Sequence, residues 1–381
     1  MKRVAIIGAG ISGLFIANLF KNTTGYKITI YEKNNLVNIN DGYGVQLSIN
    51  SVKLLNKIGF EKLDNSQKFC PKKIDFYTNN NTNKICDLDI SQFNSENCKY
   101  TTLKRSNLIN FLISDVEDLI KTNFSISKID QQNNNIELSF ENGKKEEYDY
   151  LIISDGVFSK SKSLMSNNKI KPKYDGTLAI RGNLPSVPNN INDNNISLFL
   201  DSNFHHVIYP VNSKGDLNFI AIIKHNLPEK DQIDYSLFNS NSFKKTILDK
   251  SPSSVKKILN NLIDVKIFPV FVSNDFYKSK NNKIHLIGDA FYAFPPSFAQ
   301  GASQSIESSY ELFESIKNKS NNNFFKERVK KTKMVKNRSR FNQFSFHLKN
   351  PLSIFIRNFF LKRLVKNKSF LESYLGKIYR Y

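Results

Sequence analysis

The sequence predicts an α/β fold: a Rossmann-like domain that is discontinuous in the chain, with an inserted β-rich domain and C-terminal helices. Three observations predict it. The chain opens on Val4-Ala-Ile-Ile7, a short apolar run that reads as a buried strand, followed by Gly8, Gly10 and Gly13 at GxGxxG spacing. Leu14, Phe15, Ala17, Leu19 and Phe20 then recur with helical period. Nearly three hundred residues later the pattern returns: Lys283 to Ala290 reads as a second buried strand ending in Gly-Asp, and Gln304 to Ile316 as the helix behind it. Between them, from Ile170 to about Val272, the sequence turns β-rich, so the first domain is completed by residues near 275–320 around an insertion.

The opening loop has a physical reason for each glycine. Gly8 permits the tight turn, Gly10 lets a pyrophosphate approach the backbone, and Gly13 lets helix and strand pack closely. The helix N-terminus, with Ile11 and Ser12 in its first turn, offers free N–H groups and a positive dipole end to phosphates. Tyr26 to Tyr31 reads as the second strand, and Glu32, beside Lys33, stands nineteen residues beyond Gly13, where an acid meets an adenosine ribose hydroxyl. Together these features predict dinucleotide binding.

Asp41 to Ser48 reads as a loop leading into an extended segment, and Asn50 to Ile58 as a helix ended by Gly59. Ile74–Tyr77 and Ile85–Leu88 read as strands joined by an Asn-rich turn, and Arg105 opens a helix through Ile113. Phe124–Ile129, Ile136–Phe140 and Tyr148–Ile153 read as strands, the last running into Ser154-Asp155-Gly156. In the insertion, Thr177–Ile180, Ile196–Leu200, His206–Tyr209 and Phe219–Ile223 read as strands, with a helical piece near Val255–Leu262. The expected division is 1–73, 100–169 and 275–320 for the nucleotide domain, 74–99 and 170–274 for the β-rich domain, and 321–381 for a basic helical region.

At 381 residues the chain can bury a large core, and it has no apolar run long enough to span a bilayer. The strand begins directly after Met1-Lys-Arg, which argues against a cleaved leader, and the odd count of three cysteines fits a reduced cytoplasmic protein with inert thiols. Cys70, Cys86 and Cys98 lack metal-ligand spacing, so no metal is expected. The net charge of +21 is partly diffuse, with Lys and Asn spread through the chain in runs such as Asn79–Asn81 and Asn321–Asn323. It is also partly local: between Phe324 and Lys368 lie fourteen Lys or Arg and one acid, Glu327. A solvated helical face explains that stretch. A membrane-surface contact is an open alternative, because Phe355, Phe359, Phe360, Leu361 and Leu364 interleave with Arg357, Lys362 and Arg363. Nucleic acid is not expected, since no nucleic-acid fold motif accompanies the charge. Oligomeric state is not legible.

Three separated motifs resemble the FAD-dependent aromatic hydroxylases, the single-component flavoprotein monooxygenases of the p-hydroxybenzoate hydroxylase fold, and most of all their salicylate-hydroxylase-like branch. They are Gly8-x-Gly10-x-x-Gly13 with Glu32; Ser154-Asp155-Gly156; and Gly288-Asp289-Ala290 followed by Pro295-Pro296 and Gln300-Gly301-Ala302-Ser303. The resemblance makes the cofactor FAD. It implies that Asp289 binds the ribityl chain, that the Gly301-Ala302-Ser303 helix start faces the isoalloxazine, that Arg105 reaches the ribityl or phosphate region, and that Asp155 serves both FAD and NAD(P)H. It also implies the reaction: NAD(P)H as co-substrate reduces FAD, dioxygen is captured as a flavin peroxide, and a small aromatic substrate of phenol or benzoate type is hydroxylated. Tyr209, Pro295 and Pro296 are expected beside that substrate. His206 or His205 is the candidate base for a phenolic proton, and Arg181 the candidate partner for a carboxylate. His347, in the basic tail, reads as structural.

The chain departs from the family pattern at three places. Lys162 stands where an arginine is usual, keeping the charge but losing the bidentate fork. Phe291-Tyr292 replaces a histidine after Gly-Asp-Ala, and Glu307-Ser308 replaces a Glu-Asp pair. A single GxGxxG argues against a separate NAD(P)H domain, and the absence of tryptophan removes the signature of related halogenases. Two other readings stay open: a hydroxylase of a membrane-held polyprenyl quinone precursor, and a basic binding protein with a vestigial flavin site.

Overall fold

The computed structural model describes residues 1–37, 43–78, 83–132, 135–186, 191–318 and 323–380. The loop expected at Asp41 and Gly42, the Asn-rich turn and the run at Asn321 lie outside them. The first strand, Lys2–Ile7, is central in a five-stranded parallel sheet, in the order Ile284–Leu286, Tyr150–Ile153, Lys2–Ile7, Tyr26–Tyr31, Ile120–Lys121. Burial on both faces explains its unbroken apolar sequence. Val4 and Ile6 enter the core beneath the helices Ile11–Lys21 and Gly301–Lys317, whereas Ala5 and Ile7 enter a second core under an antiparallel meander, Ile126–Gln132, Asn135–Phe140 and Lys145–Tyr148.

Two expected strands are interrupted. The run Tyr148–Ile153 is two strands in different sheets, because Asp149 turns aside to accept from the Arg3 N–H at 2.8 Å and the Lys2 ammonium at 3.0 Å. The run Lys283–Ala290 is a strand only over Ile284–Leu286. Gly288, at φ +58°, then turns the chain into a single helical turn, Gly288–Phe291.

The β-rich unit is a seven-stranded mixed sheet, in the order Ile263–Val272, Lys173–Leu184, Leu217–Lys224, Phe204–Pro210, Ile196–Asp201, Lys73–Thr78, Lys84–Asp89. Pro269 sits in the edge strand, where its missing donor costs no ladder bond. One face is covered by three helices, Tyr235–Asn239, Asn241–Asp249 and Ser253–Asn260, of which the sequence predicts only the last. The other face meets the C-terminal segment.

That segment begins with the 23-residue helix Phe324–Phe346. Arg328 is buried and donates to Glu307 at 3.1 Å and Glu311 at 3.2 Å, while Lys331 lies 3.3 Å from Glu307. Glu307 also accepts from Asn50. The acid of the Glu307-Ser308 departure is thus the anchor of the C-terminal helix. Phe291 and Tyr292, the second departure, are buried in an aromatic cluster with Phe276, Phe324 and Phe325. Among the described residues no helix is long and apolar enough to cross a membrane.

Candidate active site

The three opening glycines have different surroundings. A Cβ on Gly8, which holds φ +100°, would lie 2.7 Å from the Ser154 carbonyl, and one on Gly13 would lie 2.0 Å from the Gly8 carbonyl. These two glycines serve packing. A Cβ on Gly10 would meet nothing within 4 Å, so the space beside it is open. Helix Ile11–Lys21 starts there with no side-chain cap and no acid in its first turn, which leaves its first N–H groups for an anion. Ile11 is half-buried at this edge, and Ser12 is buried against Gly288, where a Cβ would come within 2.6 Å of its hydroxyl. Glu32 steadies the loop by accepting from the Ala9 N–H and the Asn34 N–H, each at 3.1 Å, and Lys33 is exposed next to it. Arg105 starts its helix as expected, its N–H donating to the Tyr43 carbonyl at 2.8 Å.

Asp289 follows the Gly288 turn and opens into a cavity of about 840 Å³. Surrounding protein raises its carboxyl to about 6, opposed by the nearby Lys162 ammonium. Lys162 itself is buried, donates to the Ala290 carbonyl at 3.0 Å, and has its pKa lowered by burial against the pull of Asp155 and Asp289. A lysine so enclosed braces the Gly-Asp turn. Asp155 accepts from the Ser161 N–H and hydroxyl at 3.0 and 2.8 Å through one oxygen, while its other oxygen is buried without a partner among the described residues.

Gly301 borders the same cavity, again with nothing within 4 Å of a Cβ, and its helix also lacks a side-chain cap. Just before it Ala299 holds φ +50°, a strained conformation for a residue with a side chain. Ala302 lines the cavity. Ser303 turns its hydroxyl inward, accepting from the Ser48 N–H at 3.0 Å, so only its backbone is available. Pro296 lines the cavity; Pro295 does not, its carbonyl being taken by the Ser339 hydroxyl of the long C-terminal helix.

The far wall is the inner face of the seven-stranded sheet. Arg181, His205 and Tyr209 all line it, as alternation along their strands requires. Arg181 makes no ion pair among the described residues and packs over the Tyr43 ring at 5.9 Å. His206 points the other way. It is stacked on Phe199 with ring centroids 4.4 Å apart, close to Phe219, and neither ring nitrogen has a partner among the described residues. His206 therefore does not reach the cavity, and the expected histidine pair is split by the pleat. The residue that joins His205 is His347, from the C-terminal region: Nδ1 of His205 and Nε2 of His347 lie 2.7 Å apart. Burial pulls both pKa values down, His347 to about 4.

A family described as FAD binding domain matches residues 1–322. The chain belongs to this FAD-binding family. Within it, the chain is 23% identical to 6-hydroxynicotinate 3-monooxygenase of Pseudomonas fluorescens over 329 residues, 83% of this chain and 82% of that one. It is 22% identical to 3-amino-4-hydroxybenzoate 2-monooxygenase of Streptomyces cremeus over 313 residues, covering 80% and 76%. Among solved structures, HpxO of Klebsiella pneumoniae with FAD and uric acid superposes with a TM-score of 0.81 at 16% identity, covering 98% of this chain and 97% of that one. A salicylate hydroxylase substrate complex gives 0.78 at 18%, covering 100% and 95%. The resemblance to FAD-dependent aromatic hydroxylases read from the motifs holds, and so does the fold.

Proposed function

We propose that this chain is an NAD(P)H-dependent FAD monooxygenase that hydroxylates a small aromatic compound of phenol or benzoate type. In this reading 1–73, 100–169 and 275–320 hold FAD, 74–99 and 170–274 hold the substrate, and 321–381 covers the chamber. One observation carries it: a single cavity has Asp289 and the open helix start at Gly301 on one side and Arg181, His205 and Tyr209 on the other. The open spaces at Gly10 and Gly301 and the Asp155 oxygen without a partner among the described residues fit a long, polar, phosphate-bearing group between them.

Bound there, FAD supplies the electron transfer and dioxygen chemistry that no side chain of the chain can supply. The chain does the rest. Gly10 and the N–H groups of Ile11 and Ser12 hold the pyrophosphate, Glu32 the ribose, and Arg105 and Asp289 the polyol. The N–H groups of Gly301, Ala302 and Ser303 meet the ring system where negative charge gathers. Arg181 receives a substrate carboxylate, and His205 takes a phenolic proton. The apolar sheet wall excludes water from the ring being attacked. The test is FAD stoichiometry of the purified protein, followed by NADH and NADPH oxidation across phenols, benzoates and hydroxypyridines, with product counted per reductant. Colourless protein without extractable FAD, or oxidation that no aromatic compound accelerates, overturns the reading.

A further inference from the structure

The helix Pro351–Leu364 is apolar on its outer face as well as on the face that lines the cavity. Leu352, Phe355, Ile356 and Phe359 fall at i, i+3, i+4 and i+7, one stripe of a 3.6-residue period, and they are 41–68% exposed. Phe360 flanks the stripe at 53%. Across the short connection, Phe341 and Phe344 at the end of the preceding helix are 61% and 67% exposed. Arg357 faces inward and donates to the Ser345 carbonyl at 3.2 Å, which ties the two helices into one hairpin. Seven large apolar side chains thus share one outer surface, where a monomeric soluble protein usually scatters such residues singly.

Two further observations say what covers this surface. From Phe341 to Lys368 the chain has no acid, and Lys349, Lys362, Arg363, Lys366 and Lys368 are all exposed around the stripe. Arg363 lies over the Phe359 ring, 4.0 Å from its centroid, so its charged end stands beside the apolar face. The apolar surface is also continuous with the active-site cavity, because Phe341, Phe344, Ile356 and Phe360 are at once exposed and part of its lining. An apolar stripe on a segment whose only charges are cations is complementary to the headgroup–acyl boundary of an anionic bilayer.

We infer that the hairpin 341–364 docks this protein in the plane of an anionic membrane, so that the cavity opens into the lipid and admits an apolar aromatic compound from it. The docking rests on the hairpin alone. The route for the substrate rests on the proposed hydroxylase function.

The chain has no tryptophan, so Phe355→Trp creates a single fluorescent reporter on the stripe. Holoenzyme carrying it is mixed with vesicles of phosphatidylcholine and phosphatidylglycerol, and with phosphatidylcholine alone. Docking predicts co-flotation with the anionic vesicles, a blue shift of the emission, and quenching by lipids brominated on the acyl chain. The double variant Phe355→Ser/Phe359→Ser, with unchanged FAD content and circular dichroism, should partition about tenfold less or weaker still, since two aromatic rings no longer leave water. Protein that stays in solution with anionic vesicles overturns the inference. So does flotation that the double variant leaves unchanged, which is charge adsorption alone, and so does a concentration-dependent dimer abolished by that variant without any vesicle binding. None of these readouts uses turnover, so a protein that floats but oxidises no NAD(P)H fails the functional proposal and keeps the docking.

Discussion

Nδ1 of His205 lies 2.7 Å from Nε2 of His347, joining the inner face of the sheet to the end of the basic helix across 142 residues. Burial holds both imidazoles neutral, with folded pKa values below the ordinary 6.5. A depressed pKa means that the base stays available as pH falls through 6.5, so the acid limb of kcat should lie below that value. His205→Asn should lower hydroxylation kcat by about a hundredfold or more if it accepts the phenolic proton. His347→Asn keeps a hydrogen-bonding partner for Nδ1 and should cost less. Full turnover in His205→Asn removes the assignment.

His206 sits one residue away in another world. Its ring is stacked on Phe199, its pKa is pushed down to about 3, and it lacks hydrogen-bond partners among the described residues. The folded pKa is depressed, so the stability tied to its neutral form is complete above 6.5 and is lost as pH falls toward about 3. His206→Leu should make the acid side of the stability curve shallower by about one proton and leave turnover unchanged. Denaturant midpoints between about pH 4 and 7 measure the slope.

The contrast between these neighbours marks what the sequence could show. Val4–Ile7, the glycine spacing and the late Gly288-Asp289 are local signals, because turn geometry and close packing constrain each residue type where it stands. The face of a strand is not local. His205 and His206 must point opposite ways, but which one meets the cavity depends on the helices 235–260 that cover the other side, and two of those three are not among the elements the sequence predicts. The His347 contact has no sequence signal at all. Nor could the pattern show that Lys162 is enclosed, or that Asp149 breaks an apolar run into strands of two sheets.

Gly10 and Gly13 separate binding from folding. Gly13→Ala places a methyl 2.0 Å from the Gly8 carbonyl, a clash with backbone that the loop cannot relieve, and should destabilise the fold by about 3 kcal/mol or more. Gly10→Val meets no protein atom within 4 Å and has an ordinary φ of −87°, so it should cost only the cap preference, about 1 kcal/mol, while losing FAD. Thermal unfolding and FAD content of the two purified variants decide this. A Gly10→Val protein that keeps full FAD moves the pyrophosphate elsewhere.

Asp289 should make FAD affinity pH-dependent. Its carboxyl, open to the cavity on one side and enclosed on the others, titrates near 6 rather than at 3.8, with Lys162 opposing the rise. Between those values the empty site holds a proton that the unfolded chain releases, so the ionised form is the costly one in the folded protein and stability falls as pH rises through this window. A polyol supplies hydroxyl donors that favour the ionised form, so the loaded site prefers the carboxylate. FAD should therefore bind more tightly as pH rises through about 6 and loosen as it falls. Asp289→Asn removes the titration: its dissociation constant should be flat with pH and weaker by about ten- to a hundredfold above pH 7, the worth of a charged hydrogen bond. Flavin fluorescence titrations from about pH 5 to 8 measure both curves. A wild-type curve that is flat through pH 6 would place the polyol away from Asp289 and leave the Lys162–Ala290 contact as a purely structural brace.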